Sequence, residues 1–111
     1  MIYYFSGTGN SREIALRLAQ QTNDTAQHIC KEACNITTCS DNCIGFVFPV
    51  YGWTIPPVMK KFIEQLSITA PNTYIYMVCT CGDDAEHTDR CFYQLLNKKQ
   101  LTCQAAWSIQ M

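Results

Sequence analysis

The chain is 111 residues long, enough for one domain with a single core and too short for two. Eight Lys and Arg against nine Asp and Glu give a net charge of −1, with no basic stripe, so nucleic-acid binding has nothing electrostatic to start from. A 48% apolar and 15% charged composition belongs to a folded globular protein, and the longest uncharged apolar stretch, Ile44–Trp53, falls far short of the roughly 18 residues that span a bilayer.

Met1–Phe5 is a short continuous apolar run, as expected of a strand buried on both faces. It leaves no place for a charged leader with an apolar core and cleavage site, so the expected setting is cytoplasmic, away from membranes. The turn that follows, FSGTGNSRE (Phe5–Glu13), is rich in glycine and hydroxyls and has no lysine or histidine. Asn10 is placed to cap the next helix, with Glu13 three residues on in the capping-box position. That helix carries Ile14, Ala15, Leu18 and Ala19 on one face and ends near Asn23. Thr25–Cys30 reads as a weaker strand, and Lys31–Asn42 as a polar, cysteine-bearing connection with one helical turn.

Ile44–Val50 (IGFVFPV) is the strongest central-strand signal, with Pro49 expected at its end, where a missing N–H does no harm. Thr54 then precedes Ile55-Pro56-Pro57, a good helix start because proline suits the first turn. Val58, Met59, Phe62, Ile63 and Leu66 supply that helix's buried stripe. Pro71-Asn72 is a turn and Thr73–Thr80 (TYIYMVCT) another continuous strand. Asp83 and Asp84 open a helix to about Lys98 with Cys91, Leu95 and Leu96 on one face, acids first and lysines last, as the macrodipole prefers. Leu101–Ile109 is the fifth strand.

Strands and helices alternating in this way specify an α/β fold: one domain over 1–111 with a doubly wound parallel sheet and right-handed crossovers. Such a sheet needs cover on both faces, yet no helix follows the fifth strand before Met111. The expectation is therefore a chain cut short or completed by another element, with self-association through the uncovered face as one way of completing it.

In a sheet of this kind ligands bind beyond the carboxyl ends of the strands, at the switch point of strand order. Three loops meet that edge: Ser6–Ser11, Val50–Ile55 and Thr80–Asp84. The first can wrap a phosphate. Gly7 and Gly9 allow close backbone approach, N–H groups can form a nest, the helix from Asn10 points its positive end inward, and Ser6, Thr8 and Ser11 add hydroxyls. Neutral donors suit a terminal monophosphate that is held and never transferred. The nucleotide motifs fit badly: G-x-x-x-x-G-K-[ST] is absent, and G-x-G-x-x-G fails at its third glycine, which is Arg12.

Ser6-Gly7-Thr8-Gly9-Asn10-Ser11 resembles the [ST]-x-T-G-x-[ST] phosphate loop of flavodoxins and directly follows a first strand, as theirs does. FPVYGWTIPP (Phe48–Pro57) looks like their second flavin loop. The likeness covers the whole chain and is nearest to the flavodoxin module of anaerobe flavoproteins, in which a ferredoxin segment often follows. The resemblance implies the flavodoxin-like strand order 2-1-3-4-5. It also implies FMN as cofactor, with the phosphate in the first loop and the isoalloxazine between the second and third.

Read from the residues alone, a flavin is a flat apolar tricycle with one hydrogen-bonding edge, so its site needs aromatic faces and a few backbone donors. Tyr51 and Trp53, following Pro49 and Val50, can supply the faces, and Gly52 between them lets a peptide reorient. The resemblance suggests that a carbonyl near Gly52 turns toward the flavin on reduction. Stacking against electron-rich reduced flavin disfavours its anionic form, so these rings are expected to lower the second one-electron potential. Thr80, Cys81, Gly82 and Asp83 would offer backbone N–H groups to the pyrimidine edge. The plainer reading of Tyr51 and Trp53 is ordinary packing.

Eight cysteines, about 7% of the chain, stand just under the range of a disulfide scaffold, and without an export signal they read as reduced thiols. The run Cys30, Cys34, Cys39, Cys43 has gaps of three, four and three residues, matching neither ferredoxin nor zinc-ribbon spacing, so no metal is assigned. Cys79 and Cys81 lack the C-x-x-C spacing of a redox pair. His28 and His87 stand alone, no serine lies in a G-x-S-x-G elbow, and Arg12, Lys60 and Lys61 are most simply solvated. The expected function is FMN-dependent electron transfer to redox protein partners, a ferredoxin module in the same chain among them, with no catalytic acid or base. The alternatives are a flavin-free docking or regulatory module and an NAD(P)H-dependent quinone or flavin reductase.

Overall fold

The computed structural model describes residues 1–6, 10–29, 38–50, 55–70, 72–81 and 86–110. In chain order the elements are β1 (Ile2–Tyr4), α1 (Asn10–Thr22), β2 (Ala26–His28), β3 (Thr38–Cys39), β4 (Cys43–Pro49), α2 (Pro57–Gln65), β5 (Ser67–Ile68), β6 (Tyr74–Cys81), α3 (Glu86–Asn97) and β7 (Ala105–Gln110). Five strands form one parallel sheet in the order β2-β1-β4-β6-β7. That is the expected 2-1-3-4-5 order once two short strands are set aside. Those two, β3 and β5, form a separate parallel ladder through Thr38↔Ser67 and Cys39↔Ile68. The Thr69 N–H extends it by donating to the Cys39 carbonyl at 2.9 Å. The helical turn expected between Lys31 and Asn42 falls mainly outside the described residues, and its described end is strand.

The central strands sort their side chains by alternation, as the period of two requires. Ile2 and Tyr4 of β1, Val47 of β4, and Tyr76 and Val78 of β6 face Ala15 and Ala19 of α1. Tyr3, Phe46, Phe48, Met77 and Cys79 face the other way, onto Met59, Phe62 and Ile63 of α2 and Phe92, Leu95 and Leu96 of α3. The two layers differ in thickness. Large residues fill the α2–α3 side, whereas α1 lies close to the sheet on a line of small residues, Ser11, Ala15 and Ala19, spaced four apart. Ile14 and Leu18, expected on the buried face, flank that line half-buried.

Gly45 in the middle of β4 has a direct reason to be glycine. It pairs with Tyr76 of β6, and a Cβ placed on it would overlap the Tyr76 ring. The ring takes the space a side chain would need, and Trp107 meets it edge-on at 6.1 Å. Burial pushes the Tyr76 phenol up to about 12.

Two details at the ends of elements depart from expectation. Asn10 is the first helical residue of α1 rather than the residue before it, and the Glu13 carboxylate pairs with Arg17 at 2.7 Å, one turn along the same exposed face. Strand β7 starts at Ala105, four residues later than expected. Leu101 and Cys103 look strand-like because they are apolar, but they pack against the core from the connection. Elsewhere the signals hold. Pro49 ends β4, and α1 closes with Asn23 at φ 56° and the Asp24 N–H on the Ala19 carbonyl, a Schellman-type stop. On the α1 side of the sheet Trp107 remains 52% exposed, with Tyr74 and Ile109 also exposed. Among the described residues no helix is long and apolar enough to cross a membrane.

Candidate functional site

The carboxyl ends of β1, β4 and β6 are tied together by the main chain. The Phe5 N–H donates to the Val47 carbonyl at 3.0 Å, and the Val50 N–H donates to the Thr80 carbonyl at 2.9 Å. These bonds fix the take-off points of all three loops named from the sequence. They also commit the Val50 N–H, and Pro49 has none, so these two residues position their loop without offering it a main-chain donor.

Above those strand ends lies a buried hydroxyl pair. Ser11, in the first turn of α1, is 2% exposed, and its Oγ stands 3.2 Å from Oγ1 of Thr80, 69 residues away and 6% exposed. Helix α1 crosses β4 to make this contact, and its line of small residues permits the close approach. A buried hydroxyl is costly unless hydrogen-bonded. Each of these brings one O–H donor, and a single bond between them consumes one donor. Among the described residues the pair therefore keeps a second O–H, and lone pairs, with no other partner.

The surrounding charge suits an anion. The first-turn N–H groups of the 13-residue helix α1 lack intrahelical acceptors, and the macrodipole adds a positive end there. The acid in that turn, Glu13, is neutralised by Arg17 on the exposed side. Arg12 is exposed. His28, at the end of β2, is exposed, with its ring nearly parallel to that of Phe5 and the centroids 6.4 Å apart. Hydroxyls and helix N–H groups with no lysine fit a terminal phosphate that is bound and retained.

Of the site residues expected from the sequence, Ser6, Asn10, Ser11, Pro49, Val50 and Thr80, with the main chain of Cys81, stand at the described ends of these loops. Gly7, Thr8, Gly9, Tyr51, Gly52, Trp53, Gly82 and Asp83 lie outside the described residues. The direct contact between the first and third loops was not read from the sequence. Its signal was available: a threonine closing an apolar strand, opposite a serine on an alanine line. Among the cysteines, Cys39 is buried and Cys43 exposed, Cys79 lies in the α2–α3 core, and Cys30 and Cys34 lie outside the described residues. Among the described residues no three His, Cys, Asp or Glu side chains converge as metal ligands.

The amino ends of the strands, at the opposite side of the sheet, are held by charge. The Met1 ammonium donates to Asp24 Oδ2 at 2.7 Å and to the Cys43 carbonyl at 2.9 Å, and pairs with Asp41 Oδ2 at 3.0 Å. Burial works to lower the amine, but hydrogen bonds and charge from Asp24 and Asp41 outweigh it and hold it above its ordinary value. Burial likewise works to raise Asp24, while the Met1 amine and the Thr25 N–H, at 2.8 Å, bring it below its ordinary value.

Comparison with known proteins bears on this architecture. A family model described as a flavodoxin domain matches residues 1–110. No curated protein sequence matches the chain significantly. Among solved structures, a protein classed as a flavoprotein from Bacteroides uniformis superposes with a TM-score of 0.80 at 15% identity, over 99% of this chain and 88% of that one. A flavoprotein in complex with FMN from Lactobacillus acidophilus gives 0.73 at 12% identity, over 96% and 90%. The Trp repressor binding protein from Bacillus subtilis gives 0.64 at 11%, over 99% and 83%. At these identities the structural likenesses establish the fold.

Proposed function

Because the chain belongs to the flavodoxin domain family, we propose that it is an FMN-binding electron-transfer domain. The observation that carries this reading is the buried Ser11–Thr80 hydroxyl pair at the N-terminus of α1, with one O–H that has no other partner among the described residues. The FMN complex of the Lactobacillus flavoprotein, on the same fold, supports the choice of cofactor.

On this reading the Ser6–Ser11 loop, the first turn of α1 and the Ser11–Thr80 pair hold the phosphate. Tyr51 and Trp53 face the ring, and the main chain from Thr80 to Asp83 meets its pyrimidine edge. Bound FMN supplies the one-electron redox chemistry, and the chain binds it, orients it and limits water around it. No side chain has to act as acid or base. Redox proteins are the partners, and a ferredoxin module of the anaerobe flavodoxin–ferredoxin type is the closest match to the sequence resemblance.

Spectroelectrochemical titration of the FMN-loaded protein tests the proposal. Two separate one-electron potentials are expected, with negligible steady-state NADPH oxidation. In Trp53→Ala the lower potential should rise and FMN binding should weaken, because a ring that disfavours negative charge is removed. A single two-electron wave accompanied by rapid NADPH turnover would replace the carrier reading with that of a reductase.

A further inference from the structure

The strongest feature outside the candidate site is a lysine-rimmed groove between α2 and α3. It consists of two adjoining hollows of about 130 and 290 Å³ that share Lys60, Leu95 and Lys98. Its floor is apolar: Ile55 and Leu95 are buried, and Cys91 is half-buried. Its rim carries Lys60 from the start of α2 with Lys98 and Lys99 from just beyond α3. Lys61 adds a further exposed charge on α2.

These lysines are poorly neutralised. Among the described residues none is in a salt bridge, and the carboxylate at the groove is that of Glu64 alone. Lys99 instead donates to the Glu64 main-chain carbonyl at 3.2 Å, which draws the end of α3 onto α2 and gathers the charges. Three of the chain's eight Lys and Arg residues thus line one groove. The sequence reading took Lys60 and Lys61 as solvated. It could not see that α2 and the end of α3 meet.

We propose that this groove docks an acidic, amphipathic segment of a protein partner, carboxylates against the lysine rim and apolar side chains on the Ile55–Leu95 floor. Charge complementarity selects the acidic partner, and the recessed apolar floor selects a protein segment over a bare polyanion. Ile55, on the groove floor, closes the Val50–Ile55 stretch that the sequence singles out, so groove and candidate site are joined along the chain. Identifying the partner as an electron donor or acceptor rests on the flavin reading above. The docking itself does not.

The test uses the full chain and a fluorescein-labelled helical peptide with glutamates on one face and leucines on the other, read by anisotropy. A control peptide carries lysine in place of each glutamate. The acidic peptide should bind, its affinity should fall as salt rises, and the control should not bind. Lys60→Glu/Lys98→Glu/Lys99→Glu should weaken the acidic peptide by about tenfold or more, since rim charges set affinity of this kind. The same variant should titrate with FMN as the parent does. Equal binding of both peptides, acidic-peptide binding unchanged in the triple variant, or heparin competing more tightly than the peptide would each overturn the proposal. Failure of FMN to bind the parent would remove the redox identity and leave the peptide result standing.

Discussion

The two ends of the sheet are built from opposite chemistries. At the amino ends of the strands an ammonium and two carboxylates, Met1 with Asp24 and Asp41, clamp β1 to the start of β2 and the approach to β4. At the carboxyl ends there are hydroxyls, helix N–H groups and main-chain ties, with Ser11 and Thr80 at the centre. Charges that already have partners give stability and leave nothing to attract a ligand. Neutral donors, one of them without a partner among the described residues, give less stability and keep the capacity to bind. The difference sets the lower end to holding the fold and makes the upper end the place for the anion in the proposed function.

The largest effect is expected where both ends depend on the same contact. Gly45→Ala drives a methyl into the Tyr76 ring between the central strands, and should lower unfolding free energy by about 3 kcal/mol and abolish ligand binding with it. Denaturant unfolding checks this, and a loss under about 1 kcal/mol would mean that Tyr76 moves aside freely.

The hydroxyl pair separates stability from binding. Ser11→Ala should cost about 1–2 kcal/mol, because it leaves the buried Thr80 hydroxyl without its partner. Adding Thr80→Val removes the orphan and should return most of that stability, yet FMN affinity in the double variant should fall about tenfold or more. If the double variant binds FMN like the parent, the pair belongs to the core and not to the site.

At the charged end the effects are smaller and the ligand should not notice. Asp24→Asn should cost about 1 kcal/mol, the group being partly exposed, with FMN affinity unchanged. The pH dependence has two limbs. Asp24 sits below its ordinary value, so its contribution is complete above the unfolded carboxylate range and is lost as pH falls through the lowered value. The Met1 amine sits above its ordinary value, so its contribution is complete below about pH 8 and is lost as pH rises through the raised value. Thermal unfolding across pH should therefore show a plateau between the two limbs, and acetylating Met1 should remove the alkaline one.

How much was legible follows the same division. The five sheet strands and three helices were readable because Met1–Phe5, Ile44–Val50 and Thr73–Thr80 are continuous apolar runs and the helices carry spaced stripes. Strands β3 and β5 were not, since two residues carry no period. The start of β7 was misplaced because Leu101 and Cys103 are apolar for packing rather than for pairing. At the site, the glycine-hydroxyl turn raised the expectation of an anion, while the Ser11–Thr80 contact spans 69 residues and exists only once α1 lies across β4. The Met1 clamp was missed because it uses a terminal amine, which no side-chain pattern records.

The measurement that bears most directly on the anion socket is a fluorescence titration of the purified chain with FMN, run in parallel with riboflavin. FMN should bind one to one with its emission quenched, and riboflavin, lacking the phosphate, should bind about a hundredfold more weakly, as expected for the loss of a few charge-assisted hydrogen bonds. Unchanged FMN emission, or riboflavin binding as tightly as FMN, would contradict it.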